Sequence, residues 1–133
     1  MKKQLFTTII TVISLQFTPT GASAEFSLSF NWGNLKKCNT GNPNRVANPN
    51  FSLKGVPAGT AELRFKMKDL DVPSYNHGGG KVKYSGGGKV ASGAFKYASP
   101  CPPGGRHTYE WTVQARDKKG KKLGTAKARR KYP

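Results

Sequence analysis

Apolar and polar side chains alternate along three long stretches of the sequence, and this period of two constrains the fold more than any other feature. The alternation covers residues 26–32, 63–67 and 109–115, with shorter candidates at 82–84, 94–97 and 125–130. Such a pattern is typical of strands with one buried face, and the proline and glycine clusters between the stretches predict turns. No stretch keeps a helical period for three turns. We therefore predict an all-β fold, an antiparallel sandwich or small barrel with little helix.

The first 24 residues have the organisation of a secretory signal peptide. Lys2 and Lys3 precede an apolar stretch at 5–15, and Ala22-Ser23-Ala24 provides a small-residue cleavage site. The apolar stretch is shorter than the ~20 residues of a membrane-spanning helix, which disfavours the alternative of an uncleaved anchor. Cleavage near Ala24 would shorten the chain from 133 to 109 residues and, by removing the two lysines, lower its net charge from +17 to +15. We predict a periplasmic or secreted protein with one domain at 25–133.

The two cysteines, Cys38 and Cys101, are expected to form a disulfide, because the predicted compartment is oxidising and the count is even. Such a bond would close a loop of about 60 residues and stabilise the fold by roughly 4 kcal/mol. Two alternatives use the same sulfurs: a thiolate–imidazole pair of Cys101 and His107, and a zinc site that adds Cys38 and His77. Sequence spacing supports neither. We expect no bound metal and no cofactor.

A short glycine repeat occurs twice, at 78–82 and again at 86–90. We interpret it as a flexible hairpin whose lysines keep its edges soluble. The alternative is a phosphate-binding loop, but neither Gly-Lys pair is followed by serine or threonine. His77-Gly78-Gly79-Gly80 matches an esterase oxyanion loop, although no serine lies in the Gly-x-Ser-x-Gly context that this chemistry needs. We therefore expect a protein without catalytic activity.

Four motifs follow one another between residues 48 and 109. They are Asn-Pro-Asn-Phe-Ser-Leu at 48–53, Gly-Val-Pro-Ala-Gly-Thr at 55–60, Asp-Leu-Asp-Val-Pro-Ser at 69–74, and Ser-Pro-Cys-Pro-Pro-Gly-Gly-Arg-His-Thr-Tyr at 99–109. In this order they resemble the phosphatidylethanolamine-binding protein family, particularly its bacterial, Raf kinase inhibitor-like branch. Leu70 and Thr108 replace a proline and an arginine of the family motifs, and the family's H-W-V-V strand is missing. The resemblance is to a shortened and divergent member.

The resemblance implies a β-sandwich with a small pocket for phosphate or another anionic head group. Carried over position by position, the ligand-binding candidates are Asp69, Asp71, Pro73, His77, Pro100, Cys101, Pro102, His107 and Tyr109. His77 lies only in about the place of a second pocket histidine. A protonated imidazole and a phenol can donate hydrogen bonds to phosphate oxygens. The alternative is that His107 and Tyr109 simply cover the sheet.

The strongly basic charge supports a second functional hypothesis. After Asp117 the sequence has no acidic residue and eight basic ones: Lys118, Lys119, Lys121, Lys122, Lys127, Arg129, Arg130 and Lys131. Besides a merely solvated charge run, this segment is a candidate surface for polyanions, whether anionic membrane lipid, lipopolysaccharide, polysaccharide or, without sequence specificity, nucleic acid. In that case the pocket would be vestigial. A further alternative is that the protein inhibits an extracellular enzyme and contacts it through the glycine hairpin, since some members of the resembled family are inhibitors.

Overall fold

A computed structural model describes residues 12–18 and 24–133, and over these residues the chain forms β-strands and no helix. The strands are β1 (Ser27–Phe30), β2 (Arg45–Ala47), β3 (Phe51–Lys54), β4 (Glu62–Asp69), β5 (Gly79–Lys83), β6 (Lys89–Val90), β7 (Lys96–Ala98), β8 (His107–Arg116) and β9 (Lys122–Tyr132). The described part of the chain accordingly has no helix of the length and apolarity needed to cross a membrane. The predicted all-β class is confirmed.

Most of the predicted signal peptide lies outside the described residues. Of its 24 positions the structure describes 12–18, which are exposed and have no regular structure, and Ala24. Cleavage, export and the assignment of 25–133 as one domain therefore stay predictions.

The strands form three antiparallel sheets. A four-stranded sheet has the order β5-β4-β8-β9, a three-stranded sheet has the order β1-β3-β6, and β2 pairs with β7. In the largest sheet the β4–β8 ladder runs from Glu62 opposite Arg116 to Asp69 opposite Tyr109. The three long alternating stretches of the sequence supply β1, β4 and β8, as the period of two predicts.

The core lies between the four-stranded sheet and the smaller sheets. Phe51 of β3 stacks on Phe65 of β4 with ring centroids 4.5 Å apart, and it meets the edge of Trp111 at 5.1 Å. Tyr97 of β7 also packs against Trp111, with ring centroids 4.8 Å apart. Each aromatic pair adds about 0.5–1.5 kcal/mol to the free energy of burial. The polar residues of the same strands consequently lie on the outer face of the four-stranded sheet.

The glycine repeat does not form the predicted hairpin. Its first copy lies in β5, which pairs with β4, whereas its second copy lies in β6, which pairs with β3 in another sheet. Close packing explains the first copy, because a Cβ at Gly79 would lie 1.9 Å from the carbonyl oxygen of Phe65, and a Cβ at Gly80 would lie 2.3 Å from Cγ of Phe95. These glycines let the backbone of β5 approach its neighbours closely.

Candidate functional site

The ladder between β4 and β8 ends where an acidic and a basic side chain meet. Asp69 is the last residue of β4 and His107 the first of β8, and Oδ2 of Asp69 lies 2.7 Å from Nδ1 of His107. Oδ1 of Asp69 accepts the backbone N–H groups of Asp71 at 2.9 Å and Val72 at 3.1 Å. One carboxylate therefore orients the imidazole and starts the loop at 70–76.

Asp69 is only 4% exposed. Burial alone would raise the pKa of its carboxyl, but the hydrogen bonds from His107, Asp71 and Val72 outweigh burial and hold the pKa below its usual value. Because Nδ1 of His107 is directed at Asp69, Nε2 is the ring nitrogen left for a ligand, and none of the described residues bonds to it.

A second histidine, His77, is buried beside the first. Its Nδ1 lies 2.8 Å from the carbonyl oxygen of Ala98, so Nδ1 carries the proton and Nε2 is a hydrogen-bond acceptor. Burial lowers the pKa of His77, although the Ala98 carbonyl and the Asp69 charge favour protonation. Its ring meets that of Tyr109 edge-on, with centroids 5.5 Å apart. At neutral pH the site thus contains a neutral imidazole.

Tyr109 is 1% exposed and lies on β8, two residues after His107. Burial first, and then the nearby Asp69 carboxylate, raise the pKa of the Tyr109 hydroxyl well above its usual value. The phenol therefore stays protonated across the physiological range and can donate a hydrogen bond to an anionic ligand.

A disulfide fixes the remaining wall. Cys38 and Cys101 are joined, which confirms the predicted pairing. Around this bond the backbone N–H of Gly41 donates to the carbonyl of Cys101 at 3.1 Å, and the N–H of Thr40 approaches the Cys101 sulfur at 3.3 Å. Neither cysteine is free, so the thiolate–imidazole pair and the four-ligand zinc site considered from the sequence are both ruled out.

These elements enclose a pocket of about 190 Å³. Its lining residues are Gly41, Pro43, Asp69, Val72, Tyr75, His77, Cys101, Pro102, Pro103, His107 and Tyr109. The walls are mainly proline, valine and aromatic rings, and the polar atoms are concentrated around Asp69 and the two histidines. A small group that accepts and donates a few hydrogen bonds would fit this chemistry.

The structure brings together six of the nine predicted ligand-binding residues: Asp69, His77, Cys101, Pro102, His107 and Tyr109. Pro100 is fully buried and is not among the residues that line the pocket. Asp71 is exposed and accepts the N–H of Thr108 at 2.7 Å, while Pro73 lines a different depression.

The motif comparison did not identify Gly41, Pro43, Val72, Tyr75 and Pro103 as pocket residues. The predicted disulfide could have pointed to Gly41 and Pro43, since a bond to Cys101 places the residues after Cys38 against the proline-rich loop at 100–105.

Ligand atoms of Asp69, Asp71 and His107 lie within 4.8 Å of one another, a spacing compatible with a metal ion. However, one oxygen of Asp69 is paired with His107, and an oxygen of Asp71 accepts the N–H of Thr108. The arrangement is explained by hydrogen bonds that order the loop at 70–76. The absence of a metal stays a prediction.

The basic residues after Asp117 do not form one continuous surface. Lys118, Lys119 and Lys121 belong to the turn between β8 and β9, and Lys122 begins β9. Along β9, Lys127, Arg129 and Lys131 lie on the outer face of the sheet, and the residues between them, Ala128 and Arg130, are paired with the buried Trp111 and Tyr109 of β8. Arg130 lies on the opposite face, where its guanidinium is 5.8 Å from the ring centroid of Phe30 and donates to the Phe30 carbonyl.

Comparison with known proteins identifies the fold. No protein-family model and no curated protein matches the sequence. Among solved structures, YbcL of E. coli, described as a member of the mammalian phosphatidylethanolamine-binding protein family, matches 82% of this chain and 98% of its own, with 17% identity and a TM-score of 0.59. A Chlamydia trachomatis protein described as a homolog of phosphatidylethanolamine-binding protein matches 81% of this chain and 97% of its own, with 18% identity and a TM-score of 0.57. The chain therefore has the fold of these proteins, as the motif order predicts.

Proposed function

We propose that this protein is a non-catalytic binding protein whose pocket receives a small ligand bearing a phosphate or similar anionic group. The observation that carries the proposal is the pairing of Asp69 with Nδ1 of His107 in a pocket also lined by Tyr109, which leaves Nε2 without a partner among the described residues. The names of the structurally similar proteins, which refer to binding of phosphatidylethanolamine, support the same ligand class.

The polar groups of the pocket are complementary to a group that carries both a charge and hydrogen-bond donors. A protonated His107 and the neutral Tyr109 hydroxyl can donate to phosphate oxygens, and charge-assisted bonds of this kind are roughly twice as strong as neutral ones. Nε2 of His77 can accept from an ammonium or hydroxyl group, because its Nδ1 already donates to Ala98. A phosphate joined to an amine or alcohol satisfies all three.

The size of the pocket favours a head group over a whole lipid. At about 190 Å³ it is smaller than the ≈ 300–1,000 Å³ typical of sites for drug-sized ligands. Acyl chains of a phospholipid would therefore have to stay outside.

Export and the absence of catalysis are part of the proposal. The N-terminal pattern of two lysines, an apolar stretch and Ala-Ser-Ala supports export, and a disulfide is typical of oxidising compartments. Because both sulfurs are bonded to each other, Cys101 supplies no nucleophile. We infer that the site binds its ligand without forming a covalent intermediate.

An amide NMR titration of the purified protein tests the proposal. Phosphorylethanolamine is added at low and at physiological salt, with inorganic phosphate and ethanolamine as separate titrants. We expect chemical-shift changes that are confined to residues around Asp69, His77, His107 and Tyr109 and that persist at physiological salt. Phosphorylethanolamine should bind more tightly than either inorganic phosphate or ethanolamine alone. Shifts that spread over basic residues and disappear in salt would contradict pocket binding.

A further inference from the structure

The outer face of the four-stranded sheet contains a second and larger depression, here called the basic groove. Its volume is about 920 Å³. The cationic side chains that line it are Arg64, Lys66, Lys68, Lys81, Arg116 and Lys127. Only Lys127 among them belongs to the basic segment 118–131 recognised in the sequence. The positive surface is thus assembled mainly by β4, β5 and β8.

The strand register arranges these cations in a regular array. Arg64 lies between Lys81 of β5 and Gln114 of β8, and Lys66 lies opposite Thr112, which in turn lies opposite Lys127 of β9. Neighbouring strands are ≈ 4.8 Å apart, and alternate residues of one strand are about 6.7 Å apart. Arg64, Lys66 and Lys68 therefore form a line along β4, with the neutral side chains of Thr112 and Gln114 beside them.

Most of this charge has no internal counterion. Both acids on this face are already paired. Glu62, at the margin, pairs with Arg64, and Glu110, which lines the groove opposite Lys68, pairs with Arg129 at 2.6 Å and with Lys127 at 3.7 Å. Within the described part of the chain, Lys66, Lys68 and Lys81 make no ion pair, and all three are exposed. Closely spaced cations of this kind attract a polyanion and release its counterions when it binds.

The lining of the groove indicates which polyanion it fits. Phe65 and Met67, the large aliphatic or phenyl side chains in the lining, are buried, so the groove does not offer the exposed apolar row that anchors proteins in lipid. Single-stranded nucleic acid is usually held by several stacked aromatic rings, whereas the exposed aromatic ring here is that of Tyr75 on one wall. Ser74, Asn76, Thr112 and Gln114 instead supply hydroxyl and amide groups that can bond to sugar hydroxyls.

We propose that the basic groove binds a linear anionic polysaccharide, with Lys66, Lys68 and Lys81 contacting its sulfate or carboxylate groups. This function goes beyond that of the pocket and uses a separate set of residues. The loop at 71–76 forms the wall between the two sites, and Tyr75 lines both.

A pair of matched triple variants tests this proposal with a heparin-derived octasaccharide as the probe. One variant combines Lys66→Ala, Lys68→Ala and Lys81→Ala. The other combines Lys118→Ala, Lys119→Ala and Lys121→Ala, which removes the same charge from the exposed turn between β8 and β9. Titration calorimetry at low and physiological salt gives the affinity, and circular dichroism checks that both variants fold. We expect the groove variant to weaken binding about tenfold or more, with a shallower salt dependence, and the turn variant to change the affinity less than about twofold.

Three outcomes would overturn the proposal. Equal losses in both variants would mean that only net charge matters. A single-stranded oligothymidylate or an anionic phospholipid vesicle could bind as tightly as the octasaccharide and lose as much affinity in the groove variant. That result would assign the groove to nucleic acid or to membrane, respectively. Unmeasurable binding of the octasaccharide to the unmodified protein at low salt would exclude a polysaccharide site altogether.

Discussion

The pocket and the basic groove lie on either side of one loop, yet they are built on opposite electrostatic principles. In the pocket the one carboxylate is bonded to a histidine and to two backbone N–H groups, and the second histidine is kept neutral by burial. In the groove Lys66, Lys68 and Lys81 are exposed cations without an ion-pair partner among the described residues. The pocket therefore selects by the direction of a few hydrogen bonds, and the groove by the density and spacing of charge.

The two sites also differ in how the chain assembles them. Three segments distant in sequence meet at the pocket: 41–43, 69–77 and 101–109. The groove is largely the exposed face of neighbouring strands, whose register follows from burial of the other face. A change that loosens the contacts between loops should consequently damage the pocket first, whereas the groove depends on the strand ladders of one sheet.

Removal of the disulfide should show this difference most strongly. Replacing Cys38 and Cys101 together by alanine releases a link across 63 residues, and we expect the free energy of unfolding to fall by about 4 kcal/mol. Urea unfolding measures the loss. Under conditions where circular dichroism shows that the variant is folded, it should no longer bind phosphorylethanolamine but should still bind the octasaccharide. Parallel loss of both activities would contradict the independence of the two sites.

The Asp69→Ala variant is expected to have the next largest effect on stability. It leaves His107 and the N–H groups of Asp71 and Val72 without their acceptor, at a cost of about 3 kcal/mol in the free energy of unfolding. Asp69→Asn is the control, since its side-chain oxygen can still accept the two N–H groups and should cost less. The Lys66, Lys68 and Lys81 triple variant should unfold at nearly the same urea concentration as the unmodified protein. A comparable loss there would mean that the groove is part of the structural framework.

Ligand-contacting variants of the pocket should affect affinity rather than folding. We expect His107→Ala and Tyr109→Phe each to weaken phosphorylethanolamine binding by about tenfold, the loss of one hydrogen bond involving a charged group. Octasaccharide binding serves as the internal control and should be unchanged. Unchanged phosphorylethanolamine affinity in the combined variant would refute the assignment of these side chains.

The pH dependence of stability should distinguish the two buried titrating groups of the pocket. Because the pKa of His77 is lowered on folding, the unfolded chain takes up its proton first, and stability should begin to fall as the pH drops below about 6.5. The pKa of Asp69 is also lowered, so its stabilising contribution is present above about 3.8 and is lost in stronger acid. Urea unfolding is measured across this pH range for the unmodified protein and for His77→Asn. The loss of stability that begins near pH 6.5 should be seen only in the unmodified protein. A loss of equal size in both would assign it to another group.

The strands that could be predicted are those in which burial repeats every second residue. β1, β4 and β8 follow from alternation, and the fold follows from the order of four motifs. The two-residue strand β6 is too short to show a period. The hairpin prediction, which rested on the glycine content of the repeat, is wrong because each copy pairs with a strand from another part of the chain.

Site residues that belong to a recognised motif could be predicted from the sequence. Residues that reach the site only through contacts between distant segments could not. Asp69, His107 and Tyr109 were identified from their motifs, and their meeting follows from the register of β4 and β8. Gly41 and Pro43 belong to no motif and reach the pocket because Cys38 is bonded to Cys101. Pro73 belongs to a motif, but the turn after Asp69 directs it to the groove.

The sequence by itself determined the all-β class and the large positive charge, since alternation and composition are properties of neighbouring or summed residues; it made the Cys38–Cys101 disulfide an expectation, which the structure confirms. Only the tertiary structure decided where the charge acts. Ladder pairing brought Lys81 of β5 beside Arg64 of β4, whereas Arg130, part of the most basic segment of the sequence, lies over Phe30 on the opposite face. The physical reason is that a strand sends alternate side chains to opposite faces, so charges that are adjacent in sequence separate while charges on paired strands converge.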